Sequence, residues 1–238
     1  MDGKAFMAEN RQEFEAFAHE MERHILPVLA ARVDPETAEH LLRKAWEGFE
    51  QVLEEMPYIG DDNPLIKNLA GAAYEMNVYR QLEAYGLALR DISRMVQTAL
   101  LDMTRAGLTA ETVAFVKNEV YAPQTLRQQA ERSQKRRYAG DWVFACVMPG
   151  PHDHWDVGVN YTECGIVKLF KKYGCERYVP FVCLNDYPML HELGMTLERS
   201  RTLGNGASVC DFRLSFTQGA RGVVTDPDRL PEFGKADG

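Results

Sequence analysis

GDWVFACVMPGPHDHWDVGVNYTECGIVKLFKKYG, residues 140–174, is the stretch where the chain changes character. Trp142 to Met148 (WVFACVM) is a compact apolar run that reads as a buried strand. Pro149-Gly150-Pro151 breaks it, and Val157 to Tyr161 resumes as a second strand. From Glu163 to Tyr173 the spacing turns helical, with Ile166, Leu169, Phe170 and Tyr173 on one stripe. Asn160 and Thr162 are candidate caps of that helix and Gly174 its stop. Strands joined to a helix, after a long helical region, predict an α+β fold. A helical N-terminal half packs on a C-terminal α/β half whose small antiparallel sheet ends in a β-hairpin.

Working upstream, Asn10 to about Arg137 is helical almost throughout. Phe14, Phe17, Met21, Ile25 and Val28 form one stripe. Leu41, Leu42, Ala45, Trp46, Phe49, Val52, Leu53 and Met56 form a second, with the recurrence of a one-sided helix. Asp34-Pro35 and Asn63-Pro64 each set a capping side chain before a proline, which predicts helices near 34–56 and 64–85. Gly86 and Gly107 are read as left-handed stops of the third and fourth helices, and Pro123 as an interruption of the fifth. The basic segment 128–137 (QQAERSQKRR) reads as a solvated helix end.

Working downstream, Met195–Leu203 and Val209–Thr217 flank Gly204-Asn205-Gly206, a strong hairpin signal. A two-residue loop at Asn205-Gly206 places Arg201 opposite Cys210, Arg199 opposite Phe212 and Glu198 opposite Arg213. Two arginines then line the face of Cys210 as a carboxylate clamp, although a one-residue bulge reverses every assignment; the alternative is a Glu198–Arg213 surface pair with solvated arginines. The expected organisation is a helical region over 1–139, an α+β domain over 140–220 and a loosely attached tail over 221–238.

Composition narrows the function. The 238 residues are 45% hydrophobic and 26% charged, which suits a packed domain rather than a disordered chain. A net charge of −8 has the wrong sign for a general nucleic-acid or anionic-membrane binder. No apolar run approaches the roughly 18 residues that span a bilayer, and the first residues are acidic, so the expected location is the cytoplasm. The five cysteines are an odd number confined to the second half, so they read as thiols.

Cys164 is the leading chemical candidate, because the first turn of a helix lowers a thiol's pKa and Lys168 follows one turn on. The alternative is a small buried hydrophobe. His152-Asp153-His154-Trp155-Asp156 lies in a loop with no recognised ligand spacing, so no metal and no cofactor are expected. No Walker loop, G-x-G-x-x-G, G-x-S-x-G or H-E-x-x-H is present, which removes support for nucleotide-dependent and classical serine-hydrolase readings.

Three blocks, VNYTECGIVKLFKKYG (159–174), CERYVPFVCLNDY (175–187) and ERSRTLGNGASVCDFRL (198–214), resemble in order those of the L-2-amino-thiazoline-4-carboxylic acid hydrolase family. The matching positions are Cys164 with Gly174, Cys183 with Asp186, Arg199 with Thr202, Gly206, and Cys210-Asp211-Phe212-Arg213. The resemblance implies hydrolytic opening of a cyclic isothiourea, L-2-aminothiazoline-4-carboxylate, to N-carbamoyl-L-cysteine. It further implies a catalytic group drawn from Cys164, Asp186, Asp211 and Cys210, with Cys164 attacking carbon 2 or assisting the leaving sulfur and Asp186 or Asp211 as general base. Arg199, Thr202, Arg213 and Cys183 are the implied substrate-binding residues, the two arginines holding the carboxylate. The expected partner is thus a small-molecule substrate, with neither nucleic acid nor membrane, and the helical half covers the site or forms a homo-oligomer. Two readings stay beside this one. A distant likeness to vinyl-reductase-like ligand-binding domains suggests a sensor of metal, haem or a small effector, and exposed helical faces suit an adaptor.

Overall fold

A computed structural model describes residues 3–216. The predicted tail over 221–238 lies outside the described residues. The fold is α+β: helices fill the N-terminal half and a four-stranded antiparallel sheet with short helices fills the C-terminal half.

Six α-helices precede the sheet: α1 (Gly3–Ala30), α2 (Pro35–Glu54), α3 (Ile66–Tyr85), α4 (Leu89–Ala106), α5 (Ala110–Phe115) and α6 (Pro123–Gln134). Asp34 starts α2 as expected, its Oδ1 accepting the Thr37 N–H at 2.9 Å with Pro35 at the first helical position. Asn63 does something else. Its Oδ1 accepts the Leu65 N–H and its Nδ2 donates to Ile59 O and Asp141 Oδ1, so it ties a turn to the loop before the sheet and α3 begins three residues later. Gly86 ends α3 in the left-handed region at φ +110°. Gly107 does not, with φ −93°, because its N–H still reaches Met103 O at 3.2 Å and continues the last turn of α4. A π-helical turn, Val116–Val120, extends α5, and Pro123 opens α6.

The helix that positions the site is α3. Its segment Leu69–Tyr79 is buried on every side, so it reads as apolar all round rather than one-sided. The helices α1, α2 and α4 pack on it, and the C-terminal half covers what remains. The buried apolar residues form one cluster that runs from Phe6 to Leu214 across both halves. No described helix is long and apolar enough to cross a membrane.

The strands are β1 (Val143–Val147), β2 (Val157–Glu163), β3 (Thr196–Glu198) and β4 (Cys210–Ser215), in the order β1-β2-β4-β3. Between β2 and β3 come α7 (Gly165–Lys172), a 3-10 turn (Glu176–Tyr178), α8 (Val179–Cys183) and α9 (Asp186–Glu192). Tyr161 pairs with Cys210, Val159 with Phe212 and Val157 with Leu214, so these side chains share one face by the period of two. Asn160, Asp211 and Arg213 fall on the other.

Three local expectations are corrected. The run Trp142–Met148 is not uniformly buried: β1 is an edge strand, and Ala145 at its middle is exposed. Asn160 and Thr162 do not cap α7. Thr162 Oγ1 donates to Val143 O and Asn160 Oδ1 accepts from Arg213, leaving Cys164 at the cap position. The last two strands are not joined by a two-residue loop. Glu198 does face Arg213, yet β3 stops there, because the Asp211 carboxylate takes the Ser200 and Arg201 N–H groups that a ladder would use. The intervening loop folds on a 3-10 turn, Leu203–Asn205, capped by Thr202 and ended by left-handed Gly206.

Candidate functional site

A cavity of about 260 Å³ lies between the buried helix α3 and the inner face of the sheet, lined at its sides by the α7–α9 segment, α4 and Tyr121. Glu75 enters it from α3; Tyr161, Cys210 and Phe212 come from the sheet; Cys164, Cys183, Asn185, Asp186 and Arg199 come from the connections. Five of the eight residues singled out in the sequence, Cys164, Cys183, Asp186, Arg199 and Cys210, therefore line one cavity.

Arg199 is the anchor of the polar part. Its side chain is 1% exposed, Nη1 donates to Asp186 Oδ2 at 2.8 Å and Nη2 to the Cys183 carbonyl at 2.8 Å. The Tyr187 and Phe212 rings sandwich the guanidinium at 5.0 and 4.8 Å. A cation this deep is tolerable because a carboxylate, a carbonyl and two ring faces replace its water.

Cys164 stands at the N-terminus of α7. Gly165 follows because a Cβ there would lie 2.6 Å from Trp142 Cζ3 and 2.7 Å from Gly140 O. Burial pushes the Cys164 thiol up, and the nearby N–H groups of Val167 and Ile166 only offset this in part. This reverses the expectation of an acidified thiol. Lys168 does not help either, since its ammonium is spent on Asp141 O and Glu163. Cys183 is held well above the ordinary thiol value by burial. Burial likewise pushes Cys210 up to about 12, even though the Leu203 N–H points at its Sγ at 3.1 Å. The three thiols in this wall hold their protons at neutral pH.

The other three predicted residues lie elsewhere. Asp211 points to the loop: burial raises its pKa, but the Ser200 hydroxyl and the Ser200 and Arg201 N–H groups outweigh that, leaving it below the ordinary value. Thr202 is fully buried and its Oγ1 accepts the Asn205 N–H. Arg213 lies across Gly158 on the outer face, donating to Asn160 Oδ1 and Phe212 O with its guanidinium over Trp155. The geometry thus leaves one arginine at the cavity, not two. In the histidine loop, His154 pairs with exposed Glu198, Asp153 accepts the Gly150 N–H and Asp156 accepts the Phe216 N–H. Among the described residues no cluster of three or more His, Cys, Asp or Glu side chains is arranged to hold a metal ion.

Sequence reasoning missed Glu75 and Asn185. Glu75 is 3% exposed, and its Oε1 accepts from Asn185 Nδ2 at 2.9 Å. Burial, with the Asp186 charge adding to it and the Asn185 bond opposing it, raises the Glu75 pKa to about 7. Asn185 Oδ1 is buried in the cavity wall without a hydrogen-bond partner. The signal for Glu75 was available: it is the one acid within Leu69–Tyr79, a segment otherwise without charge.

Chemically, the cavity offers one buried cation, two carboxyls of different character and three protonated thiols inside a largely apolar wall. That suits proton transfer on a small ligand that carries an anionic group. The family model described as L-2-amino-thiazoline-4-carboxylic acid hydrolase matches residues 8–214 of the chain. No curated protein and no solved structure matches it.

Proposed function

Because the chain belongs to the L-2-amino-thiazoline-4-carboxylic acid hydrolase family, we propose that its cavity opens a small cyclic amidine or isothiourea bearing a carboxylate, such as L-2-aminothiazoline-4-carboxylate. The product is then N-carbamoyl-L-cysteine: a water oxygen bonds to carbon 2, the bond from that carbon to sulfur breaks, and sulfur leaves with a proton. The observation that carries this reading is the nearly unexposed Arg199 at the wall of a small cavity that also holds Glu75, Asp186 and three thiols.

Arg199 supplies the cation for the substrate carboxylate, and Asp186 and the Cys183 carbonyl fix its orientation. A carboxyl in the wall takes a proton from the attacking water. The departing sulfur needs a proton donor, and Cys164 fills that role better than it fills the role of nucleophile. Burial keeps its proton on, while the N–H groups of Ile166 and Val167 favour the thiolate left after donation. Cys183 and Cys210 complete the apolar wall. The whole chain incubated with L-2-aminothiazoline-4-carboxylate, with N-carbamoyl-L-cysteine followed by mass, tests the reading. Product formation above the buffer rate supports it, and a folded chain that leaves the ring intact rejects this substrate.

A further inference from the structure

Two carboxyls line the cavity, and the geometry separates their roles. Asp186 is committed to Arg199 at 2.8 Å, so its carboxylate is engaged in holding that guanidinium in place. Among the described residues no cation pairs with Glu75. Its hydrogen-bond partner is the side-chain amide of Asn185, on Oε1, and the carboxyl lines the cavity. The charged groups that bear on it are the Asp186 carboxylate, with its partner Arg199, from the facing connections; on its own helix the Tyr79 phenol lies one turn on. Beside it, Asn185, a nine-tenths buried residue of the cavity wall, keeps its Oδ1 buried without a hydrogen-bond partner. A carboxylate and an amide oxygen side by side suit two N–H groups of one planar cation.

Resting on the ring-opening reading above, we propose that Glu75 is the catalytic proton acceptor of this site and that Asn185 positions it, the pair holding the amidinium end of the substrate. In the step, the Glu75 carboxylate removes one proton from water as the oxygen bonds to carbon 2 of the amidinium. A neutral tetrahedral adduct results. When the carbon–sulfur bond breaks, its electron pair goes to sulfur, which takes the Cys164 proton. The proton on Glu75 restores that thiol, and the adduct's hydroxyl proton passes to solvent as the carbonyl forms. Glu75 suits this cycle because a group titrating near neutrality both accepts and returns a proton.

The test is ring opening across pH for the whole chain, its isosteric Glu75→Gln variant and an Asn185→Ala variant, with binding of thiazolidine-4-carboxylate as a control that carries the carboxylate but no amidine. Glu75→Gln is expected to lose about 10²- to 10⁴-fold in turnover while binding the control ligand as the wild type does. In the wild type kcat/KM rises through about 7, the value of the ligand-free site. Asn185→Ala removes the bond that lowers the Glu75 pKa, so that limb moves to higher pH. Near-wild-type turnover in Glu75→Gln, or an Asn185→Ala limb that stays in place, overturns the assignment while the ring-opening reading stands. A wild type that opens no cyclic amidine overturns both.

Discussion

Arg199 and Asp186 meet at 2.8 Å across thirteen residues of chain, and the arginine side chain is 1% exposed while the aspartate side chain is 41% exposed. The pair is therefore unequal: both residues line the cavity, but the cation is enclosed in its wall and the anion is partly solvated. Asp186→Asn removes the charge that makes this burial tolerable. It is expected to cost about 1–3 kcal/mol in denaturant unfolding, less than a fully enclosed pair because the aspartate is partly solvated. Arg199→Lys keeps the charge but loses the fork that reaches both Asp186 and the Cys183 carbonyl, so KM for a carboxylate substrate rises more than kcat falls.

Glu75 makes stability depend on pH in the direction opposite to an ordinary ion-paired acid. Its folded value of about 7 lies above its ordinary 4.5, so the folded chain holds the proton more tightly than the unfolded chain does. That contribution is full below the ordinary value and is lost as pH rises through about 7. Between about pH 4 and pH 8 it amounts to about 3 kcal/mol, and the neutral Glu75→Gln variant removes it. Unfolding free energies of the two proteins at both pH values check this, and parallel pH profiles contradict it.

Asp211 behaves the other way. Its depressed pKa means that the stability it contributes is present above the ordinary carboxylate value and disappears as pH falls through the folded value. Asp211→Ala orphans the N–H groups of Ser200 and Arg201 and the Ser200 hydroxyl, at a cost of about 1–3 kcal/mol. The turnover of the folded fraction is expected to hold, which distinguishes a loop anchor from a base.

The cavity thiols are expected to be slow toward iodoacetamide at neutral pH, with Cys164, Cys183 and Cys210 labelled fast only after denaturation. Cys164→Ala should lower turnover about 10²-fold by removing a proton donor. No covalent adduct on Cys164 is expected by intact mass during turnover; an adduct that accumulates assigns it the nucleophile's role instead.

The α+β division was legible because strands and one-sided helices carry their own periods, whereas the pairing of Glu198 with Arg213 came out as expected although the two-residue loop it was counted from is replaced by a longer one. The convergence of Cys164, Cys183, Asp186, Arg199 and Cys210 followed the order of three sequence blocks rather than any spacing. What was not legible depended on neighbours distant in sequence. Glu75 looks like any helical acid until the C-terminal half packs on the last open side of α3 and denies it water. The state of Cys164 turned on the same balance, since the helix terminus was visible in sequence and the burial that overrides it was not. Asp211 and Arg213 share a face that alternation marks correctly, but alternation alone does not say which face looks inward.

The central claim is that this cavity opens a carboxylate-bearing cyclic amidine at Arg199. The most direct measurement is the rate of thiol release from L-2-aminothiazoline-4-carboxylate by the whole chain beside a folded Arg199→Met variant. The account predicts sustained release with stoichiometric N-carbamoyl-L-cysteine in the wild type and a loss of at least about 10²-fold in the variant. Equal rates in the two proteins, or a wild type no faster than buffer, contradict it.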